Sequence, residues 1–118
     1  MNEGALSLRT RHVKDVVILD LTGRLIMGES ELCFRNAVHQ LVDGGTKNLA
    51  FNLAEVKYID SSGIGSLASV WTTSKKAGAV CRLYSVPKKV MLVLKISRLD
   101  TVLQIFEDEA GAVNSFQG

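Results

Sequence analysis

The sequence predicts a single α/β domain with a mostly parallel, open sheet, an N-terminal edge strand and about four helices. Short apolar runs that are typical of strands alternate with longer stretches of helical periodicity. This alternation favours a parallel sheet with helices packed on it, because right-handed crossovers carry the chain back over the sheet. The 118 residues, of which 47% are apolar, suffice for one domain with an aliphatic core. We therefore expect residues 1–118 to form one domain.

The first half of the chain is predicted to form two strands, a helix and a third strand. Apolar and polar residues alternate from Leu6 to Arg11, which indicates an edge strand, and the apolar run Val16–Leu21 suits a central strand that ends at Thr22-Gly23. A helix beginning at Ser30 or Glu29 has acids in its first turn, and two successive glycines end it. Its predicted apolar face comprises Leu32, Phe34, Val38, Leu41 and Val42. The next strand carries the alternating residues Leu49, Phe51 and Leu53.

The second half continues the alternation. A short strand ending at Tyr58-Ile59 precedes a helix from about Ser62 to Ala77, which Gly78 closes. Val80–Tyr84 is predicted to be a strand, and Pro87 suits the first position of a helix, where its missing N–H costs nothing. The predicted core residues of these two helices are Ile64, Leu67, Ala68 and Trp71, and then Val90, Met91, Val93, Leu94 and Ile96. The last two predicted elements are a strand over Val102–Phe106 and a helix over Ala110–Phe116.

The composition argues against several classes of protein. No apolar run approaches the ~20 residues of a membrane span, and the N-terminus lacks a signal-peptide pattern, so we expect a cytoplasmic protein without a membrane partner. Cys33 and Cys81 lack the spacing of metal ligands, and we expect them to be small buried thiols in a reducing compartment. The net charge of +2 implies no particular partner.

One stretch of the chain is strongly basic. Between Ser61 and Leu99 there are seven basic residues and no acid. They are Lys75, Lys76, Arg82, Lys88, Lys89, Lys95 and Arg98. One interpretation is a solvated helix face, and the other is a surface for an acidic protein partner. Direct nucleic-acid binding is not expected, because no aromatic residues interleave the basic ones to stack on bases.

The most informative segment of the chain is Tyr58–Gly65. An acid, two hydroxyls and a glycine follow the end of a strand and open a helix. The free backbone N–H groups of a first helical turn suit a phosphate, either bound or covalently attached. No catalytic base lies nearby in sequence, so this pattern favours a modification site over an active site.

A dinucleotide-binding site is one alternative for this segment. Gly63 and Gly65, with Ala68, formally match the glycine fingerprint after a strand and at the start of a helix. The acid expected about 20 residues later is absent, since that region is basic. The match is therefore weak.

A nucleophilic hydrolase is a second alternative. The Gly-x-Ser-x-Gly spacing of a nucleophile elbow is absent around Ser61 and Ser62. A triad needs a general base, and the only histidines are His12, after the first strand, and His39, within the first helix. Surface or structural roles suit these histidines better.

A phosphorylation switch is the third interpretation. A phosphate on Ser61 would add nearly two negative charges beside Asp60. A helix N-terminus tolerates that charge, whereas a partner docked over it would meet a strongly hydrated dianion. The competing explanation is that Ser61 and Ser62 are simple helix caps. A structural interpretation also exists for Gly63 and Gly65, which could simply permit close packing of the helix on the strand.

The segment Tyr58-Ile59-Asp60-Ser61-Ser62-Gly63-Ile64-Gly65 resembles the phosphorylation signature of bacterial anti-sigma factor antagonists, the STAS-domain proteins. The resemblance extends over roughly residues 6 to 108. Its supporting matches are Leu21-Thr22-Gly23, Asn52-Leu53, Val86-Pro87 through Ile96, Leu99-Asp100 and Ile105-Phe106-Glu107.

The resemblance implies that the unphosphorylated chain binds an anti-sigma factor that is also a serine kinase, and that this binding frees the sigma factor. The kinase would use Mg-ATP to phosphorylate Ser61, directly after the signature aspartate, and a serine phosphatase would reset the chain. The residues expected under the partner are Asp60, Ser62, Gly63, Ile64 and Gly65. The chain itself would carry no catalytic residue, cofactor or metal. The family also includes scaffolds and subunits of signalling or transport complexes, which is the alternative function.

Two positions depart from the family pattern. Many members carry an acid three positions after the glycine of Thr-Gly, where this chain has Ile26. The family often has glycine where this chain has Arg98, so we expect a backbone conformation there that glycine adopts more easily.

Overall fold

The computed structural model describes residues 6–116, which form a five-stranded sheet with helices on both faces. The strands lie in the order of the sequence; β1 runs antiparallel to β2, and the other neighbours are parallel. The elements are β1 (Ser7–Val13), β2 (Val16–Leu25), α1 (Glu29–Asp43), β3 (Asn48–Ile59), α2 (Ser61–Lys76), β4 (Val80–Tyr84), α3 (Lys88–Ile96), a 3₁₀ turn (Leu99–Thr101), β5 (Gln104–Phe106) and α4 (Glu109–Asn114). The predicted fold class is confirmed.

The main apolar core lies between one face of the sheet and helices α1, α2 and α3. Side chains such as Leu19 of β2 and Phe51 of β3 point into it, and their sequence neighbours point to the other face. Phe34 of α1 packs edge-on against Phe51, with ring centroids 5.2 Å apart. A smaller apolar cluster lies on the opposite face under α4. Its buried members are Val16, Ile18, Ala50, Tyr84, Ala112 and Val113.

The strand β2 continues past Thr22-Gly23, where the sequence predicted its end. The register with β3 shifts just before Thr22 and just after Gly23, and Gly23 has a φ of 117°. The glycine therefore belongs to an irregular, bulged part of the strand and does not terminate it. Likewise, Tyr58-Ile59 is the end of the long strand β3 and not a separate short strand. Because β4 pairs with β3 only as far as Asn52, the segment Leu53–Ile59 runs on beside β2.

Several predicted boundaries differ from the observed ones. Pro87 precedes α3 in an extended conformation, with ψ 153°, and is not its first helical residue. The strand β5 begins at Gln104 and not at Val102, because the chain first makes a 3₁₀ turn. The helix α4 begins one residue before Ala110 and ends before Phe116. Arg98 has a φ of 65°, so the left-handed conformation expected from its departure from glycine is present.

Some side chains that were predicted to be buried are exposed. Leu32 is 48% and Ile96 is 75% exposed, because they lie on the sides of α1 and α3 that face away from the sheet. Cys33 is also exposed, whereas Cys81 is buried, and both thiols are free. Between residues 6 and 116, no helix combines the length and the apolar character that crossing a membrane would require.

Candidate functional site around Ser61

Ser61 is the first residue of α2, and Asp60 is the residue that caps this helix. The Oδ1 atom of Asp60 accepts a hydrogen bond from the backbone N–H of Gly63 at 2.9 Å. The first helical bond runs from the N–H of Ile64 to the carbonyl oxygen of Asp60, also at 2.9 Å. The explanation of Ser61 and Ser62 as the caps is therefore wrong, because the carboxylate of Asp60 occupies that position.

The second carboxylate oxygen of Asp60 holds the connection between β2 and α1. Its Oδ2 accepts the backbone N–H of Met27 at 3.0 Å, and the N–H of Asp60 donates to the carbonyl oxygen of Leu25 at 3.3 Å. Burial alone would raise the pKa of Asp60, but the N–H groups of Met27 and Gly63 outweigh it and hold this pKa below its ordinary value. Asp60 is thus a charged side chain that joins the start of α2 to the end of β2.

The connection itself is held by Ser30, which sequence reasoning missed. The buried Ser30 hydroxyl accepts the N–H of Ile26 at 3.1 Å and donates to the carbonyl oxygen of Arg24. Ile26, at the position where the family pattern often has an acid, is half-buried. The sequence did not indicate a role for Met27 either. Because β2 was predicted to end at Gly23, the loop after it was not expected to lie beside Asp60.

The residues of the first turns of α2 differ in their access to solvent. Ser61 is exposed, Ser62 is half-buried, and Gly65 is exposed on the same side of the helix as Ser61, four residues later. Ile64 is half-buried and packs against the main core. Next to this surface the Met27 side chain is 73% exposed. The chemistry available here is that of a surface hydroxyl at a helix N-terminus.

The two glycines of the segment have different surroundings. A Cβ on Gly63 would overlap the carbonyl oxygen of Leu25 and lie 2.7 Å from Cγ1 of Ile59, whereas a Cβ on Gly65 would meet nothing within 4 Å. Gly63 is buried, so it serves the packing of α2 against β2 and β3. Because one glycine faces the sheet and the other faces solvent, they do not form one cradle for a dinucleotide phosphate.

Neither histidine is positioned to serve Ser61 as a base. Glu29, at the start of α1, follows the loop that bonds Asp60, and His39 lies about 15 Å further along that helix. His12 pairs with Val17, which is about 26 Å along β2 from Leu25. Both histidines are exposed, as expected for surface residues. Among residues 6–116 no group of three His, Cys, Asp or Glu side chains could hold a metal ion.

Comparison with known proteins places this chain in a family. The model of the STAS domain matches residues 7–112. A protein of Thermotoga neapolitana, named as a candidate anti-sigma factor antagonist, is 26% identical over 106 residues, which cover 90% of this chain and 94% of that protein. The crystal structure of a candidate anti-sigma factor antagonist from Thermotoga maritima superposes with a TM-score of 0.87 at 25% identity, covering 94% of this chain and 95% of that one.

The same fold is found in SpoIIAA of Bacillus, an anti-sigma factor antagonist. Its unphosphorylated form superposes with a TM-score of 0.72 at 16% identity, covering 97% of this chain and 99% of that one. Its phosphorylated form gives 0.71 at 18% identity, covering 96% and 100%. The family model spans nearly all of the described residues, and the solved structures share their architecture. The chain belongs to the STAS domain family.

Proposed function

We propose that this chain is an anti-sigma factor antagonist that is switched off by phosphorylation of Ser61. In its unphosphorylated form it binds an anti-sigma factor serine kinase, and this binding frees the sigma factor. The observation that carries the proposal is the position of Ser61, an exposed hydroxyl at the first residue of α2 whose capping role is taken by Asp60. The names of the relatives support the partner class, and one structural neighbour has been solved in a phosphorylated form.

The switch acts through charge at the surface. A phosphate on Ser61 carries about −1.5 to −2 charges and stands beside the Asp60 carboxylate, which is already ionised. The partial positive charge of the α2 N-terminus offsets part of this repulsion, so the domain stays folded. The same dianion is strongly hydrated, and a protein surface packed over it would have to remove that water. Phosphorylation therefore opposes docking without disturbing the core.

The proposed contact surface surrounds the hydroxyl. It comprises Asp60, Ser62, Ile64 and Gly65, to which we add the exposed Met27 of the loop that Asp60 holds. Gly65 leaves a side-chain-sized space four residues from Ser61, so a partner backbone can approach the helix closely. We assign Gly63 a supporting role, because its burial fixes the depth of α2 against β2.

In this proposal the chain performs no chemistry of its own. The kinase supplies Mg-ATP and the base, and a serine phosphatase of the same cytoplasm removes the phosphate. We assign no catalytic residue, cofactor or metal to the chain. This assignment agrees with the positions of the two histidines. His39 lies far along α1 from the loop that contacts Asp60, and His12 pairs with the opposite end of β2 from Leu25.

Phosphopeptide mapping tests the proposal. The purified protein is incubated with Mg-ATP and a lysate of its own cells, in parallel with Ser61→Ala and the matched neighbour Ser62→Ala. We expect phosphate on Ser61 in the natural chain and in Ser62→Ala, and none in Ser61→Ala. Undiminished labelling of Ser61→Ala would overturn the site assignment.

Binding then distinguishes the switch from a constitutive scaffold. The kinase identified by the labelling is titrated with the unphosphorylated chain, the phosphorylated chain and Ser61→Asp. We expect the phosphorylated chain to bind at least about tenfold more weakly, a loss of about 1.4 kcal/mol, and Ser61→Asp to show a smaller loss because one carboxylate replaces a dianion. Equal binding of all three forms would favour the scaffold function.

A further inference from the structure

The outer face of α3 carries two exposed aliphatic side chains that the fold does not use. Leu92 is 59% and Ile96 is 75% exposed, and their spacing of four residues places them next to each other on one side of the helix. The opposite side of α3 holds Val90 and Leu94, which are buried in the main core. The exposed pair is therefore presented by a helix whose position is fixed by the core.

Three exposed lysines frame this aliphatic pair. Lys88 and Lys95 lie four residues before and three residues after Leu92, and Lys89 lies three residues before it, so all three are its neighbours on the helix surface. The ion pairs of residues 6–116 are made by Arg11 and Arg35, and none involves these lysines. The result is an apolar strip edged with unneutralised positive charge, within the stretch that has no acid between Ser61 and Leu99.

We propose that this face of α3 is a docking surface for an acidic amphipathic helix of a protein partner. The occupant presents apolar side chains at i and i+4 to Leu92 and Ile96, and Glu or Asp residues on either side of them to the three lysines. Charge complementarity sets the class of partner, because an apolar strip alone fits many helices whereas a lysine frame selects acidic ones. The inference does not rest on the function of Ser61, which lies on a different helix.

Two other occupants fit the same surface less well. A second copy of the chain in a symmetric pairing would bring two lysine-framed faces together, and like charges directly opposite each other oppose association. An anionic membrane would attract the lysines, but α3 spans only nine residues, and the side chains of its outer face include no Trp, Tyr or Phe. An acidic helix satisfies both the charge and the size of the strip.

A peptide titration with a matched charge control tests the proposal. The full-length protein, labelled with ¹⁵N, is titrated with a synthetic helical peptide that has Leu at i and i+4 flanked by Glu, and with the same peptide carrying Lys in place of Glu. We expect saturable shifts confined to the amides of α3 for the acidic peptide and none for the basic one. Shifts spread over all basic surfaces, or no binding by the acidic peptide, would overturn the proposal.

Two pairs of charge reversals separate position from net charge. K88E/K89E and K75E/K76E change the net charge equally, but the second pair lies at the end of α2. We expect K88E/K89E to weaken binding of the acidic peptide about tenfold and K75E/K76E to weaken it less than about twofold. Equal losses would mean that only overall charge matters, which contradicts a docking site.

The aliphatic pair provides the remaining test. L92S/I96S alters two exposed side chains, so we expect an unchanged circular dichroism spectrum and about tenfold weaker binding of the acidic peptide. Vesicles of phosphatidylglycerol and phosphatidylcholine are tested in parallel. One outcome would assign the face to a membrane and overturn the proposal. In that outcome the protein sediments with the vesicles, K88E/K89E and L92S/I96S each abolish the sedimentation, and the acidic peptide does not bind.

Discussion

Gly63 is the residue on which the depth of the Ser61 site depends. Its missing side chain lets α2 approach the carbonyl oxygen of Leu25, a backbone atom that cannot move without displacing the end of β2. The same approach brings Asp60, the cap of α2, within reach of the N–H of Met27. The position of the helix and that of the loop are therefore set together at this one close contact.

The two glycines of the site give a matched pair of variants. Gly63→Ala is expected to lower the free energy of unfolding by about 1–3 kcal/mol or more, because the added methyl overlaps backbone. Gly65→Ala is expected to raise it by about 0.5–1 kcal/mol, because that helical position is open and Ala restricts the unfolded chain. Urea unfolding followed by circular dichroism measures both. Similar effects of the two substitutions would contradict the assigned roles.

The sequence predicts the residue types of this site, but not which of them caps α2 and which of them contacts the loop after β2. The acid, the hydroxyls and the helix start were predicted within one residue, since an acid before a helix is a local signal. The cap is a local contact, from the N–H of Gly63 to Asp60, but the second contact of Asp60 is with Met27, which comes from a loop 33 residues earlier. Nothing in the local pattern reports that contact, because it exists only when β2 runs on to Leu25 and carries the loop beside α2.

The helix α4 is anchored to the sheet by a polar cluster as well as by its small apolar side. Arg11 of β1 donates from Nε to Asp20 at 2.6 Å and from Nη2 to Glu109, the first residue of α4, at 2.7 Å. The hydroxyl of Tyr84 donates to the same Glu109 oxygen at 2.8 Å. The hydrogen bonds from Arg11 outweigh burial and lower the pKa of both carboxylates. Their charged forms are thus part of what holds α4.

This anchor predicts that α4 loosens in acid. The folded-state pKa values of Asp20 and Glu109 lie below their ordinary values of 3.8 and 4.5. The two carboxylates therefore contribute their full stabilisation at a pH above the ordinary values, and this stabilisation is lost as the pH falls through the folded-state pKa values. Hydrogen exchange of the α4 amides, corrected for intrinsic rates, should be faster at pH 3 than at pH 6. The change should be smaller in Glu109→Gln, which already lacks the charge at pH 6. A difference of equal size in that variant would show that Glu109 is not the titrating group.

Elements with an uninterrupted pattern were the ones that the sequence predicted well. Val80–Tyr84 is a strand at the predicted bounds, because it is a short apolar run between turn residues. The predicted end of β2 came too early, because a glycine in a bulge and a glycine that ends a strand look alike in sequence. Ile96 was predicted to be buried because apolar residues occur on both sides of α3, and the period alone cannot say which side meets the sheet.

At the scale of the whole molecule, the two free thiols differ in what their chemical labelling measures. Cys33 is exposed on α1 and reacts whether or not the sheet is intact. Cys81 lies on β4 inside the main core, where burial raises the pKa of its thiol to about 11. A buried thiol that is almost fully protonated reacts when the structure around it opens, so the labelling of Cys81 measures opening of the core at β4.

This thiol can decide whether the proposed switch works at the surface or through unfolding. In a Cys33→Ser background, iodoacetamide at pH 8 should modify Cys81 slowly, at a rate set by opening of the core. Adding Ser61→Asp should leave that rate within about twofold, because the new charge stands on an exposed helix start. Adding Gly63→Ala should raise it at least about fivefold, since about 1 kcal/mol of lost stability corresponds to that factor. Mass spectrometry of the intact protein follows both variants. If Ser61→Asp accelerates the labelling as strongly as Gly63→Ala does, negative charge at Ser61 acts on the fold, and the surface mechanism is wrong.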